Sequence, residues 1–179
     1  MSEPIDAGPV RLLVLDVDGV MTDGGIIIDD DGRETKVFHV RDGFGIRLWQ
    51  RLGGEAAIIT GRCSRVVTHR AAELHITHVM QDVRDKGAAL RTLLDRTGLQ
   101  PEQAAAIGDD LNDLPLLAAV GYPMSVADAA LEVRKAARFV TSRPGGRGAV
   151  REAIEHLLVA QRRWSEAVNL FARPEHKEA

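Results

Sequence analysis

Asp16 and Asp18 stand two residues apart at the end of LLVLDVD, straight after an aliphatic run. Carboxylates rarely sit beside a buried run without a partner. A second acidic group follows far along the chain in GDDLND, which supplies Asp109, Asp110 and Asp113. Thr60 ends another apolar run, EAAIIT, and Lys86 opens a helical pattern. Several carboxylates gathered in one crevice repel and raise each other's pKa. A divalent cation relieves that repulsion, and an all-oxygen set selects Mg²⁺ or a similar hard ion. A lysine, a threonine hydroxyl and the N–H groups of helix starts suit a phosphate. With a free carboxylate, the set describes phosphoryl transfer to an aspartate.

The elements must bring these residues together. Val10–Asp16, Glu55–Thr60 and Ala104–Asp110 are short continuous apolar runs, the pattern of strands covered on both faces. Thr77–Gln81, Pro123–Val126 and Phe139–Thr141 read as further strands. Helical patterns lie between them at Gly45–Leu52, Ser64–Leu74, Asp85–Thr97 with Gly98 as its stop, Leu111–Ala119 and Leu131–Ala137. Gly148–Gln161 closes the series and is expected to continue or bend through Arg162–Phe171, with a frayed end from Ala172. The alternation predicts an α/β fold, a Rossmann-like parallel sheet flanked by helices. Asp16, Thr60 and Asp109 then fall at carboxyl ends of buried strands, the edge where open α/β sheets bind ligands. Taken singly, each could be a turn former or helix cap; taken as a set, they point to one site. Ile26–Ile28 and Thr35–Val40 flank DDDG as arms of a β-hairpin insert over about residues 24–40.

Composition bounds the function. The chain has 179 residues, 45% apolar and 27% charged, which suits one domain spanning residues 1–179. A net charge of −3 argues against nucleic acid as a partner. Cys63 is the single cysteine, so neither a disulfide frame nor a zinc cluster is expected, and a cytoplasmic location is. No stretch reaches the roughly 20 apolar residues of a membrane span, and the N-terminal residues do not read as a signal peptide.

DVDGVMTD, ITGR, Lys86 and GDDLND, in that order, resemble the four signature motifs of the haloacid dehalogenase-like phosphatases. The resemblance covers roughly Val10 to Val140 and implies roles for the matching positions. Asp16 would be the nucleophile and Asp18 the general acid and base. Thr60, Gly61 and Lys86 would bind the phosphoryl group. Mg²⁺ would be held by Asp16, Asp109 and the backbone carbonyl of Asp18, with Asp110 and Asp113 orienting its waters. Members of the family often carry a cap domain. The intervals from Asp18 to Thr60 and from Thr60 to Lys86 are too short for one. The hairpin ending HVRDGFGI, the TGR motif and RPGGRGAVRE are similar to the subgroup acting on an eight-carbon ketoacid 8-phosphate in lipopolysaccharide precursor synthesis. Its members are homotetramers with central hairpins. A near relative acts on nine-carbon, sialic-acid-type 9-phosphates; Arg62 favours the eight-carbon substrate. His39 stands where the subgroup pattern has asparagine.

An acidic sugar phosphate asks for bidentate arginine partners. Arg41, Arg47, Arg62, Arg65 and Arg70 lie in or near loops and helix starts expected to face the crevice. With the positions that the resemblance implies, the expected substrate-binding set is Asp18, His39, Val40, Arg41, Asp42, Gly43, Arg47, Arg62, Arg70 and Arg147. Gly145, Gly146 and Gly148, with Arg147 and Arg151, read as part of a tail, from about residue 143, that reaches a neighbouring subunit's site. Other motifs are dismissed. Cys63 and Arg70 are one residue too far apart for a cysteine-phosphatase loop, and GFG at Gly43–Gly45 lacks a third glycine and a preceding strand. A signalling receiver domain would place its lone phospho-acceptor on a middle strand, where this chain has Thr60.

Overall fold

The computed structural model describes residues 7–172. Six strands, β1 (Leu12–Leu15), β4 (Glu55–Ile59), β5 (His78–Met80), β6 (Ala104–Gly108), β7 (Tyr122–Ser125) and β8 (Phe139–Val140), form one sheet. Its order is β5-β4-β1-β6-β7-β8, and every neighbouring pair is parallel. The chain leaves β1 toward β4 on one side and later returns to β6 on the other. That reversal opens a crevice at the carboxyl ends of these strands.

The central strands read as apolar runs because both faces are covered. Leu12, Leu13, Val14 and Leu15 are wholly buried. Leu13 pairs with Ala56 on one side and Ala105 on the other, and Val14 with Ala57 and Ala106. Large side chains of β1 are thus flanked by alanines, which allows helices to lie close on each face at interior packing density. The helices are α1 (Val40–Arg51), α2 (Arg65–Glu73), α3 (Lys86–Thr97), α4 (Leu114–Leu117), α5 (Leu131–Ala136), α6 (Ala149–Ala160) and α7 (Trp164–Ala172). α1 packs on α6, and α3 on α4. Gly98 ends α3 in the left-handed region at φ 68° with its N–H on the Leu94 carbonyl, as its position suggested.

Two expectations need correction. α1 begins at Val40, five residues before the expected Gly45. Gly43 and Gly45 depress helix propensity, but the Arg70 guanidinium and Arg151 press so closely on them that a side chain at either would collide or crowd. The hairpin is shorter than expected: β2 (Ile27–Ile28) pairs antiparallel with β3 (Glu34–Thr35), and the chain then runs unladdered to His39. Past α6 the chain bends at Arg162, with φ 59°, before α7, one of the two courses expected. The end expected to fray lies, beyond Ala172, outside the described residues.

Only β2, β3, α1 and β4 separate Asp18 from Thr60, and only α2 and β5 separate Thr60 from Lys86. The fold has no room for a cap in either interval. No helix among the described residues is long and apolar enough to cross a membrane.

Candidate active site

Asp16 follows β1, Thr60 follows β4 and Asp109 follows β6, so three adjacent strands deliver three polar side chains to one edge. Lys86 is the first residue of α3, whose start is fixed by the Asp85 carboxylate accepting from the Ala88 N–H. The crevice they share, about 140 Å³, is lined by Asp16, Asp18, Thr60, Gly61, Arg62, Lys86, Asp109, Asp110 and Asn112. Asn112 is the member the sequence reading passed over, although it lies inside GDDLND.

The Lys86 ammonium is almost wholly buried, 2.8 Å from Asp16 Oδ1 and 2.5 Å from Asp113 Oδ1. Asp113 is itself fully buried, and its Oδ2 accepts the Asp109 N–H at 2.9 Å. Asp113 thus locks the lysine and the β6 loop together. Asp110 instead caps the turn Leu111–Asp113 by accepting from the Leu111 N–H.

Oxygens of Asp16, Asp109 and Asp113 lie within 4.8 Å of one another. One lysine does not neutralise three such carboxylates. Burial first, and then Asp113, push Asp16 up to about 6. Burial, then Asp16 and Asp113, push Asp109 up to about 8. This is the signature of an acidic crevice that a dication would relieve. Asp113 is committed to Lys86 and a backbone N–H, which leaves Asp16 and Asp109 as the side chains free to hold a hard cation. Gly19, at φ 93°, permits the close approach of the Asp109 carboxylate, which a Cβ there would strike.

Asp18 faces the hairpin side. Its Oδ1 accepts from the buried Lys36 ammonium, and Arg62 Nε lies 3.7 Å from its Oδ2. Glu34 joins the same group: Lys36 Nζ and Arg62 Nη2 each stand 3.1 Å from Glu34 Oε1, and the Ser64 hydroxyl donates to Oε2. The Ser64 bond, with help from Lys36 and Arg62, holds the Glu34 carboxyl below its usual range. Lys36, Glu34 and Ser64 were not singled out in the sequence. Glu34 and Lys36 lie two apart on a strand-like arm, hence on one face, which is the signal that was available.

The expected substrate set divides. Of its ten members, only Asp18 and Arg62 line the crevice. Val40 and Arg41 line a separate cleft of about 580 Å³ with Phe44, Ser142, Arg143, Gly148, Arg151, Glu152 and Glu155. Arg47 is a clear departure: it donates to Gln50 and to the Leu74 carbonyl, beside the start of β4 and away from the crevice. Helix α1 is the cause, because Arg47 lies toward its far end. Arg70 pairs with Glu73, stacks over Phe38 and abuts Gly43. Asp42 is buried and accepts from the N–H groups of Gly148 and Arg151, so it caps α6. His39 precedes α1 with its Nδ1 buried and unpartnered among the described residues. Arg65 opens α2. The glycine-rich segment is no free tail. Gly145 and Gly146 press on the backbone of Gly19, Thr22 and Asp23 of the same chain, the Gly146 N–H donates to the Val20 carbonyl, and Arg147 pairs with Asp23 at 3.0 Å. The glycines serve close approach, which composition alone cannot tell from flexibility.

The family model described as haloacid dehalogenase-like hydrolase matches residues 47–154. The chain is a haloacid dehalogenase-like hydrolase. The hydrolase is 47% identical over 164 residues to 3-deoxy-D-manno-octulosonate 8-phosphate phosphatase of Yersinia pestis, covering 92% of this chain and 88% of that one. A crystal structure of the phosphatase of that name from Moraxella catarrhalis, in complex with magnesium, phosphate and the sugar acid, superposes with a TM-score of 0.90. It is 40% identical and the match covers 93% of this chain and 95% of that one. The cobalt-bound Haemophilus influenzae phosphatase gives 0.85 at 39% identity, with 87% and 91% covered.

Proposed function

We propose that this hydrolase removes the phosphate of 3-deoxy-D-manno-octulosonate 8-phosphate, with Mg²⁺ as cofactor. The supporting observation is Asp16: a carboxylate at the sheet's carboxyl edge, touched by a buried lysine, beside Thr60 and two residues before a second acid. The name and the bound ligands of the similar phosphatases supply the substrate. Mg²⁺ between Asp16, Asp109 and the Asp18 carbonyl would keep Asp16 ionised at neutral pH and neutralise charge on the phosphoryl oxygens.

The chain's own residues carry the reaction. Lys86 and Thr60, with the Gly61 backbone, hold the phosphoryl group. An Asp16 oxygen attacks phosphorus, and the bond from phosphorus to the sugar oxygen breaks. Asp18 gives its proton to the departing alkoxide. It then takes a proton from a water that attacks the phospho-aspartate, which releases phosphate and restores Asp16. Arg62, 45% exposed and part of the crevice lining, would pair with the substrate carboxylate. Asp110 and Asn112, which line the crevice, would orient waters on the bound cation.

The crevice is small and open, and phosphoryl transfer benefits from a shielded site. A homotetramer would supply the missing walls. Its support is an apolar surface around the hairpin: Ile26, Ile27, Ile28, Val37 and Val40 are each at least half exposed. A two-stranded hairpin with such a face is marginal alone in water. The reading places the enzyme in the cytoplasm, in lipopolysaccharide precursor synthesis.

The test measures phosphate release from the eight-carbon 8-phosphate and from nine-carbon ketoacid 9-phosphates, with Mg²⁺ and with chelator. The eight-carbon substrate should be preferred at least tenfold in kcat/KM, and chelator should abolish turnover. A preference for the nine-carbon substrate would overturn the substrate assignment, and no Mg²⁺-dependent turnover of either would overturn the activity.

A further inference from the structure

The hairpin's second arm carries a charge cluster, centred on the buried Lys36, that touches the residue proposed as general acid. Lys36 Nζ has a wholly buried side chain and binds Asp18 Oδ1. Asp18 is one-fifth exposed, and its Oδ2 lies 3.7 Å from Nε of Arg62, which lines the crevice with it. Glu34 ties Lys36, Arg62 and Ser64 to one carboxylate. Two cations and two anions are thus matched in a small volume, so neither ammonium nor carboxylate is buried alone.

We infer that Lys36, braced by Glu34, is a positioning residue that fixes the Asp18 carboxyl by one oxygen and leaves the other for proton transfer to the leaving group. The inference rests on the phosphatase reading of the crevice. The geometry gives three reasons. An aspartate on a loop has two side-chain torsions, and a general acid works only when its proton lies within hydrogen-bond reach of the departing oxygen. Anchoring Oδ1 removes most of that freedom before substrate arrives. A lysine held on a free strand would not suffice, because a four-carbon stem is mobile. Here the stem is buried and Nζ is held by Glu34 as well, itself pinned by the Ser64 hydroxyl at the start of α2. Finally, Lys36 belongs to the hairpin arm, which reaches the crevice lining through Lys36 on Asp18 and Glu34 on Arg62. Whatever packs on the exposed isoleucine face of β2 therefore bears on catalytic geometry through β3, one strand away.

The chemistry separates this role from a structural one. Proton donation matters for an alkoxide leaving group and little for p-nitrophenolate. Lys36→Met should therefore lower kcat on the sugar phosphate about 10- to 100-fold, with p-nitrophenyl phosphate losing less than about threefold. KM should change little, since Lys36 is not itself part of the crevice lining and reaches it only through Asp18. Lys36→Arg should restore part of the rate, and Glu34→Gln should reproduce a milder form of the same selectivity. In the Asp18→Asn background, Lys36→Met should add nothing, because the group it positions has gone. An equal loss on both substrates, or a further multiplicative loss in the double variant, would overturn the inference. If Lys36→Met fails to fold, by circular dichroism and sedimentation, Lys36→Arg and Glu34→Gln carry the same comparison. If the wild type ignores the eight-carbon substrate, the comparison uses whichever alkyl phosphate it hydrolyses best. Failure of the substrate assignment is then distinguishable from failure of the clamp.

Discussion

Removing the cation should make the protein's stability fall as pH rises, and the structure sets the size of the effect. Asp16 and Asp109 carry folded values of about 6 and about 8, both above the ordinary 3.8. A carboxyl raised in this way favours the fold while protonated. Its contribution is complete below about 4 and is lost as pH climbs through 6 and 8. Forcing Asp16 alone to ionise in the fold costs about 3 kcal/mol. For a chain of this size that is about 5–10 °C in Tm. Bound Mg²⁺ replaces those protons, so its stabilisation should grow with pH. Two other groups move in the same interval. Burial lowers His156, which favours the fold above about 6.5, and burial raises Asp42, which favours it at low pH. Neither touches the cation site, so both cancel when Tm with chelator is subtracted from Tm with Mg²⁺ at each pH. Differential scanning fluorimetry from pH 5 to 8.5 should show that difference widening by at least 5 °C. The widening should vanish in Asp109→Asn. A difference that stays flat or narrows would refute the account of the crevice as three carboxylates short of a cation.

Three further outcomes are expected. Asp16→Asn should lower turnover by more than about 10³-fold, because an amide is a poor nucleophile, and borohydride trapping followed by mass spectrometry should find no adduct at residue 16; substantial residual turnover would sink the covalent route. Asp18→Asn should slow the sugar phosphate far more than p-nitrophenyl phosphate, and equal losses in steady-state kinetics would remove Asp18 as general acid. Asp42→Ala strips the cap from α6 and should cost about 1–2 kcal/mol in urea melts, with KM for substrate changed less than twofold; a large KM effect would return Asp42 to the substrate set.

The parts of the site legible in the sequence are those where one strand decides both burial and chemistry. In VRLLVLD an unbroken apolar run ends in an acid, so the strand and its terminal aspartate are read together; the same holds for EAAIIT and AAAIGDD. Lys86 was legible because a cap and an amphipathic helix fix where α3 starts. The arginines were less legible for the opposite reason. A long side chain at a loop or helix start has several directions open to it, and only packing chooses among them. Arg47 and Arg70 went to carbonyls and acids on α2 and its exit, and Arg62 alone went to the crevice.

Gly145, Gly43 and Lys36 carry the same lesson in three forms. A glycine permits motion and also permits contact. At Gly145 the second wins, since a Cβ there would strike the Gly19 carbonyl on the loop between Asp18 and the hairpin. The segment after β8 is therefore a wedge against the motif-bearing loop, and Asp42 and Asp128 fasten it by accepting from Gly148 and Gly145. Lys36 is the converse case. A lysine on a hairpin is usually solvated, and alternation in ETKVF gives it no distinction from a surface residue. What buries it is the carboxylate it meets eighteen residues back in the chain, and no local pattern encodes that meeting. The hairpin reads from sequence as a device for assembly; its charged face, seen against Asp18, makes it part of the chemistry as well.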